Sequence, residues 1–258
     1  MLGIIGGTGL TALNSLHITR RKIERTPYGE TSQALSFGYL EGHEVVFLAR
    51  HGLGCTIPPH TVNYRANLWA LHNVGVRDAI AVSTVGAIAN GLHRGSIVLP
   101  HQLIDYTHGR PSTFQDGIHL PVLRVDFTHP YSPDMRALCL RAASKSGIPL
   151  HDGGVYAVTQ GPRLETAAEI DKLERDGATI VGMTSMPEAV LARELDMRYA
   201  LICPVTNAAA GRAESATGID HAQASASLDV AMQQIRTLLL TIVDLYSCTH
   251  AGGKKNGQ

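Results

Sequence analysis

The 258-residue chain has no excess of either charge: 22 Lys and Arg stand against 22 Asp and Glu. That balance excludes a broad electrostatic grip on nucleic acid or on an anionic membrane. An uncharged surface also favours self-association. Cysteine is sparse. Cys55, Cys139, Cys203 and Cys248 form no CxxC pair, and four such residues make no disulfide scaffold for a chain of this size. Free thiols in a reducing compartment are expected. No apolar run is long enough to span a bilayer, and the most apolar late stretch, 238–246, contains Asp244. The opening MLGIIGGTGL lacks a basic n-region and breaks at Gly6 and Gly7, so a cytoplasmic protein without a secretory signal is expected. The 13 histidines are scattered, with no HExxH and no compact His/Cys set, which disfavours a zinc hydrolase.

At 44% hydrophobic and 17% charged, the composition is that of a globular protein. Short apolar or β-branched runs alternate with longer helical patterns. Strands are predicted at 3–5, 45–49, 79–85, 96–99, 155–159, 180–183 and 199–206. Helices are predicted at 62–73, 165–176, 187–195 with Pro187 in the first turn, and 222–246. This order implies an α/β fold with a largely buried sheet. No Pro-, Gly- or Ser-rich linker divides the chain and no repeat is visible. Residues 109–125 read as an excursion loop. Residues 1–248 are expected to form one domain, and 249–258 a disordered tail.

Six motifs stand at predicted strand ends. Gly6-Gly7-Thr8-Gly9 brings backbone N–H groups and a hydroxyl close to any anion. It also fits the dinucleotide pattern GxGxxG/A through Ala12. Arg50-His51-Gly52 supplies a guanidinium suited to phosphate oxygens. Ser83-Thr84-Val85-Gly86 adds small hydroxyls. In Gly161-Pro162-Arg163-Leu164-Glu165-Thr166, Glu165 reads either as a helix-start charge or as an acceptor for a ligand N–H. Met183-Thr184-Ser185 reads as a helix cap or as a further hydroxyl site. Thr206-Asn207-Ala208 places an amide, with donors and an acceptor, at a sheet end. Taken singly, each is ordinary turn chemistry. Together they gather ligand-binding groups where α/β proteins place ligands.

The ordered set GIIGGTGL, LARHG, PPHTVNYRANLWAL, GPRLET, GMTSMPEAVLARE and PVTNAAAG resembles the trimeric purine nucleoside phosphorylases over about residues 3–245. Within them it is most similar to the methylthioadenosine and methylthioinosine branch. The resemblance implies a single α/β domain on a twisted mixed β-sheet, partly barrel-like and flanked by helices. It also implies a homotrimer, no metal or organic cofactor, and inorganic phosphate as co-substrate. Matched by motif, phosphate would be bound by Thr8, Arg50, His51, Ser83, Thr184 and Thr206. The nucleoside would meet Thr84, Val85, Leu164, Met183, Ile219 and Ala222. Glu165 and Asn207 would act on the base. The loop near 124–131 would reach a neighbouring subunit's site. Cys55 departs from the pattern, standing where many members carry histidine. Either a contact is weaker here or His60 takes it over.

The implied chemistry is attack of phosphate on C1′ as the purine departs, through an oxocarbenium-like sugar, with catalysis by positioning and electrostatics. Asn207 would hold the departing purine at N7. Glu165 accepting from N1–H and Asn207 donating to O6 fit hypoxanthine. The adenosine-type members carry aspartates at the positions of Asn207 and Ala209 and serine at that of Glu165. Apolar Ile219 near the 5′ carbon favours methylthio over hydroxyl. The expected reaction is phosphorolysis of 5′-deoxy-5′-methylthioinosine to hypoxanthine and 5-methylthioribose 1-phosphate. Methylthioadenosine, or inosine and guanosine, are the alternatives within the family. From other classes, an NAD(P) oxidoreductase or a catalytically inactive binding module are the alternatives.

Overall fold

The structure, a computed structural model, describes residues 1–13, 15–115, 122 and 124–251. Residues 116–121 and 123 of the expected loop at 109–125, and residues 252–258 of the expected tail, therefore lie outside the described residues. The strands are β1 (Leu2–Gly6), β2 (His17–Lys22), β3 (Leu35–Leu40), β4 (His43–Ala49), β5 (Asp78–Val82), β6 (Val85–Ala87), β7 (Ile97–Leu99), β8 (Gln102–Asp105), β9 (His151–Asp152), β10 (Val155–Val158), β11 (Ile180–Gly182) and β12 (Arg198–Ala208). The helices are α1 (Tyr64–Asn73), α2 (Pro133–Ser146), α3 (Ala167–Arg175), α4 (Ser185–Glu194) and α5 (His221–Ala251).

The strands form one mixed sheet in the order β2-β3-β4-β1-β5-β12-β6-β11-β10-β8, with β7 and β9 branching from β12. The long β12 runs parallel to β5 at its start and to β6 at its end, and antiparallel to β7 between them.

The central strands are apolar on both faces because helices cover both, as buried parallel strands require. Leu2, Ile4, Val45, Phe47, Ile80, Val82, Ala200 and Ile202 pack against Met135 and Leu138 of α2 and Met232, Ile235 and Leu239 of α5. The alternate residues Ile5, Val46, Leu48, Ala79, Ala81 and Leu201 pack against Leu68 and Leu71 of α1 and Ala189 and Leu191 of α4. Each fully buried Leu or Ile side chain contributes about 1.5–3 kcal/mol of transfer free energy. Ile170 and Leu173 of α3 cover Ala157 and Val181 on the far limb of the sheet.

The sequence reading and the structure differ in several places. The predicted strand at 79–85 divides into β5 and β6, because Ser83 and Thr84 leave the ladder. The α3 helix starts at Ala167, not Glu165. Thr166 is its N-cap, closing a capping box with Glu169, so the carboxylate of the first turn belongs to Glu169. In α4, Met186 is extended and continuous helix begins at Pro187. The α5 helix runs on to Ala251, into the first residues of the expected tail.

The dinucleotide reading of Gly7–Ala12 loses its structural context. The chain leaves β1 by a turn closed by Leu10 N–H on Gly7 C=O, and no helix stands between β1 and β2 among the described residues. Without that helix there is no N-terminus to hold a pyrophosphate.

Candidate active site

Parallel strands that share a register end together. Gly6 of β1 pairs with Ala49 of β4, and Ile5 with Ala81 of β5. The residues that follow, Gly7-Thr8, Arg50-His51 and Ser83-Thr84, therefore emerge side by side. On the other limb Val158 of β10 pairs with Gly182 of β11, which sets Thr159 beside Met183-Thr184. Asn207 on β12 pairs with Gly86, past an irregularity between Val205 and Asn207. These ends enclose a cavity of about 310 Å³ lined by residues from all six motifs. That is the size of a small-ligand site.

The cavity gathers Thr8, Arg50, His51, Ser83, Thr84, Val85, Leu164, Glu165, Met183, Thr184, Thr206, Asn207 and Ile219. Ala222 is the expected residue it does not gather. Its N–H turns back to Asp220 Oδ1 at 2.9 Å, and the side chain faces solvent in the first turn of α5. Tyr131, at the end of the loop expected to reach a neighbouring subunit, is buried in its own chain, with its hydroxyl 2.7 Å from Ser185 Oγ.

Arg50 forms the floor. Its side chain is fully buried, and its forked edge faces Glu188, not the open cavity. Nε donates to Oε2 at 2.5 Å and Nη2 to Oε1 at 2.7 Å, while Nη1 donates to Val82 C=O at 2.9 Å. Two of the five guanidinium N–H bonds remain without a protein acceptor among the described residues. Burial works to lower the Arg50 pKa, but the charge and hydrogen bonds of Glu188 outweigh it and hold it above its ordinary value. Tyr199 donates to Glu188 Oε1 at 2.7 Å, so the carboxylate is bonded on both oxygens. Gly7 lies flat against this pair: a Cβ there would meet Val82 O at 2.6 Å and Arg50 Nη1 at 2.9 Å.

Beside the floor stands a run of hydroxyls. Ser83 Oγ is 2.7 Å from Thr184 Oγ1 and 3.1 Å from the Tyr156 hydroxyl. Thr184 is the N-cap of α4 by position, yet its side chain caps nothing, which leaves the hydroxyl to the cavity. Tyr156 reaches this point only because residue 182 is glycine; a Cβ there would lie 2.2 Å from its oxygen. Burial raises the Tyr156 pKa, so it stays a neutral donor. His51 Nδ1 lies 2.8 Å from Ile57 C=O. Burial, then the neighbouring Arg50 charge, lower the His51 pKa and keep the ring neutral.

At the other end Glu165 accepts from Thr159 Oγ1 at 2.5 Å through Oε1, and Oε2 has no partner among the described residues. Asn207 Oδ1 accepts from Thr206 Oγ1 at 2.8 Å, and Nδ2 donates to Ala208 C=O at 2.7 Å, leaving one amide N–H. Apolar Ile57, Pro58, Pro59 and Ile219 complete the wall. Cys55 also lines the cavity, its sulfur 3.8 Å from Thr8 Oγ1.

Two supporting residues were missed by the motif reading. Glu188 belongs to the PEAVLARE stretch but reads as a helix-start charge. Arg110 donates to the carbonyls of Met183 at 2.8 Å, Met186 at 2.7 Å and Gln160 at 2.7 Å, and so ties two cavity-bearing segments together. Only an arginine expected to be buried at the edge of a polar loop would have signalled it. Among the described residues no three His, Cys, Asp or Glu side chains gather as a metal site, and no helix is long and apolar enough to cross a membrane.

Residues 1–244 match the phosphorylase superfamily. The chain belongs to this superfamily. A relative from Pseudomonas syringae pv. tomato, named a probable S-methyl-5′-thioinosine phosphorylase, is 47% identical over 93% of this chain and 97% of its own length. A 6-oxopurine nucleoside phosphorylase from Pyrococcus furiosus is 43% identical over 95% of this chain and 92% of its own. The methylthioadenosine phosphorylase from Schistosoma mansoni, solved with adenine, superposes with a TM-score of 0.90 at 30% identity, over 96% of this chain and 92% of its own. The superfamily's fold and this chain's sheet, with helices on both faces, are the same.

Proposed function

We propose that this phosphorylase cleaves 5′-deoxy-5′-methylthioinosine with inorganic phosphate, giving hypoxanthine and 5-methylthioribose 1-phosphate. The observation that carries the reading is the pair at the base end of the cavity. Glu165 offers a free carboxylate oxygen, and Asn207 a single free N–H. Hypoxanthine presents N1–H to the carboxylate and its O6–N7 edge to the amide. Adenine presents a lone pair at N1, which the carboxylate repels. The names of the relatives from Pseudomonas and Pyrococcus support a 6-oxopurine.

Phosphate sits among Thr8, Ser83, Thr184, Thr206 and His51, above Arg50. Its negative charge faces C1′ as the glycosidic bond breaks and the sugar becomes cationic, so the nucleophile is also the electrostatic stabiliser. The purine takes the bonding electron pair, and the Asn207 N–H steadies the charge that grows on it. Thr84, Val85 and Met183 hold the sugar, and Leu164 packs on the base. No side chain acts as a covalent nucleophile. The walls of Ile57, Pro58, Pro59 and Ile219 suit a methylthio group, whereas a 5′-hydroxyl there would lose its water without a partner.

The enzyme's partners are then small molecules, nucleoside and phosphate, with no metal or organic cofactor. The family resemblance supports a cytoplasmic homotrimer. Phosphorus NMR of a reaction with methylthioinosine tests the reading. A phosphate monoester should appear in step with hypoxanthine, and base release without it would indicate hydrolysis instead.

A further inference from the structure

The phosphate end of the cavity has an unusual balance of donors and acceptors. The Ile57 carbonyl can only accept, so the hydrogen of the 2.8 Å bond is on His51 Nδ1. A neutral imidazole has one ring hydrogen, so Nε2 presents a lone pair. Nε2 has no protein partner among the described residues, and His51 lines the cavity. The charged groups that bear on the ring are Arg50, which opposes its protonation, and Glu188, which favours it more weakly. Arg50 is itself balanced by the forked bond to Glu188. The site therefore lacks a net positive charge that would hold any anion indiscriminately. Thr8 and one hydroxyl of the hydrogen-bonded pair Ser83 and Thr184 can donate to any oxyanion.

We propose that this site selects an oxyanion that carries a proton. Hydrogen phosphate or hydrogen arsenate donates its hydroxyl to His51 Nε2, and sulfate, fully deprotonated at neutral pH, is disfavoured. The inference rests on the phosphorolysis reading and adds the protonation state of its co-substrate. A sulfate oxygen against Nε2 sets lone pair against lone pair and leaves both unpaired, which costs about tenfold or more in affinity. The proton also serves the reaction's balance. Hydrogen phosphate gives up one proton, which His51 Nε2 accepts, and the departing purine takes up one from solvent, so the sugar phosphate leaves as a dianion and the protons balance.

The test measures the inhibition constant of sulfate and the dissociation constant of phosphate on the intact enzyme at about pH 8, then at falling pH. Sulfate should bind at least about tenfold more weakly than phosphate at the high pH. It should gain as the pH falls through the range where His51 takes up a proton and becomes a donor. In His51→Lys, which supplies a donor at every pH used, the preference for phosphate should collapse. Equal binding of the two anions by the unsubstituted enzyme at about pH 8, with phosphate-dependent turnover intact, would overturn the proposal alone. Absence of phosphate binding and turnover would overturn it together with the phosphorolysis reading.

Discussion

Arg50 closes a two-bond fork on Glu188, Nε to Oε2 at 2.5 Å and Nη2 to Oε1 at 2.7 Å, with both side chains fully buried. A buried pair of this kind is costly to break from one side, because the survivor is left charged and unpaired. Glu188→Ala should lower the unfolding free energy by about 3–5 kcal/mol. Tyr199→Phe removes one hydrogen bond to the carboxylate and should cost about 1.5–3 kcal/mol. Urea titration of the two variants checks the order. A Glu188→Ala protein as stable as the parent would mean that the pair does not hold Arg50 in place.

Glu165 is expected to discriminate at the base. Glu165→Gln can turn an amide N–H toward N1 and accept adenine. The ratio of kcat/KM for methylthioinosine over methylthioadenosine should fall by about 10² or more. An unchanged ratio would show that Glu165 does not face the base.

Ile219 is expected to set the 5′ preference. Ile219→His places a donor where the wall is apolar, and should raise kcat/KM for inosine relative to methylthioinosine by about tenfold or more. Ala222, exposed on the next turn, should tolerate Ala222→Ser with no change in that ratio.

His51 gives stability a pH dependence of definite sign. Its folded pKa lies below the ordinary value of 6.5. Between the folded and unfolded values only the unfolded chain binds the proton, so stability rises with pH there. The contribution is complete above the ordinary value and is lost as the pH falls through the folded one. His51→Gln should flatten that part of the stability curve, as read by denaturant midpoints across the acid range.

What was legible in the sequence follows from what is local. Glycines and hydroxyls at the ends of apolar runs marked the cavity, because parallel strands in register must end together. Helix α2 was also legible in principle. Ser132 caps it with Pro133 behind, Gly147 ends it, and Met135, Leu138, Cys139 and Ala142 share its buried face. Strand β2 was not legible, since HITRRK is exposed along its length and takes its form only from pairing with β3. Nor was the orientation of Arg50. A guanidinium before glycine at a strand end reads as a phosphate fork, and the acceptor that takes the fork is 138 positions away. Arg110 escaped for the same reason, because its acceptors are carbonyls from distant segments.

One comparison of kcat/KM, with saturating phosphate, for methylthioinosine, methylthioadenosine and inosine decides whether Glu165, Asn207 and Ile219 set the substrate. Phosphate-dependent release of hypoxanthine from methylthioinosine should run well ahead of both adenine release from methylthioadenosine and hypoxanthine release from inosine. Preferred release of adenine would contradict the roles given to Glu165 and Asn207 while leaving the phosphorylase chemistry in place.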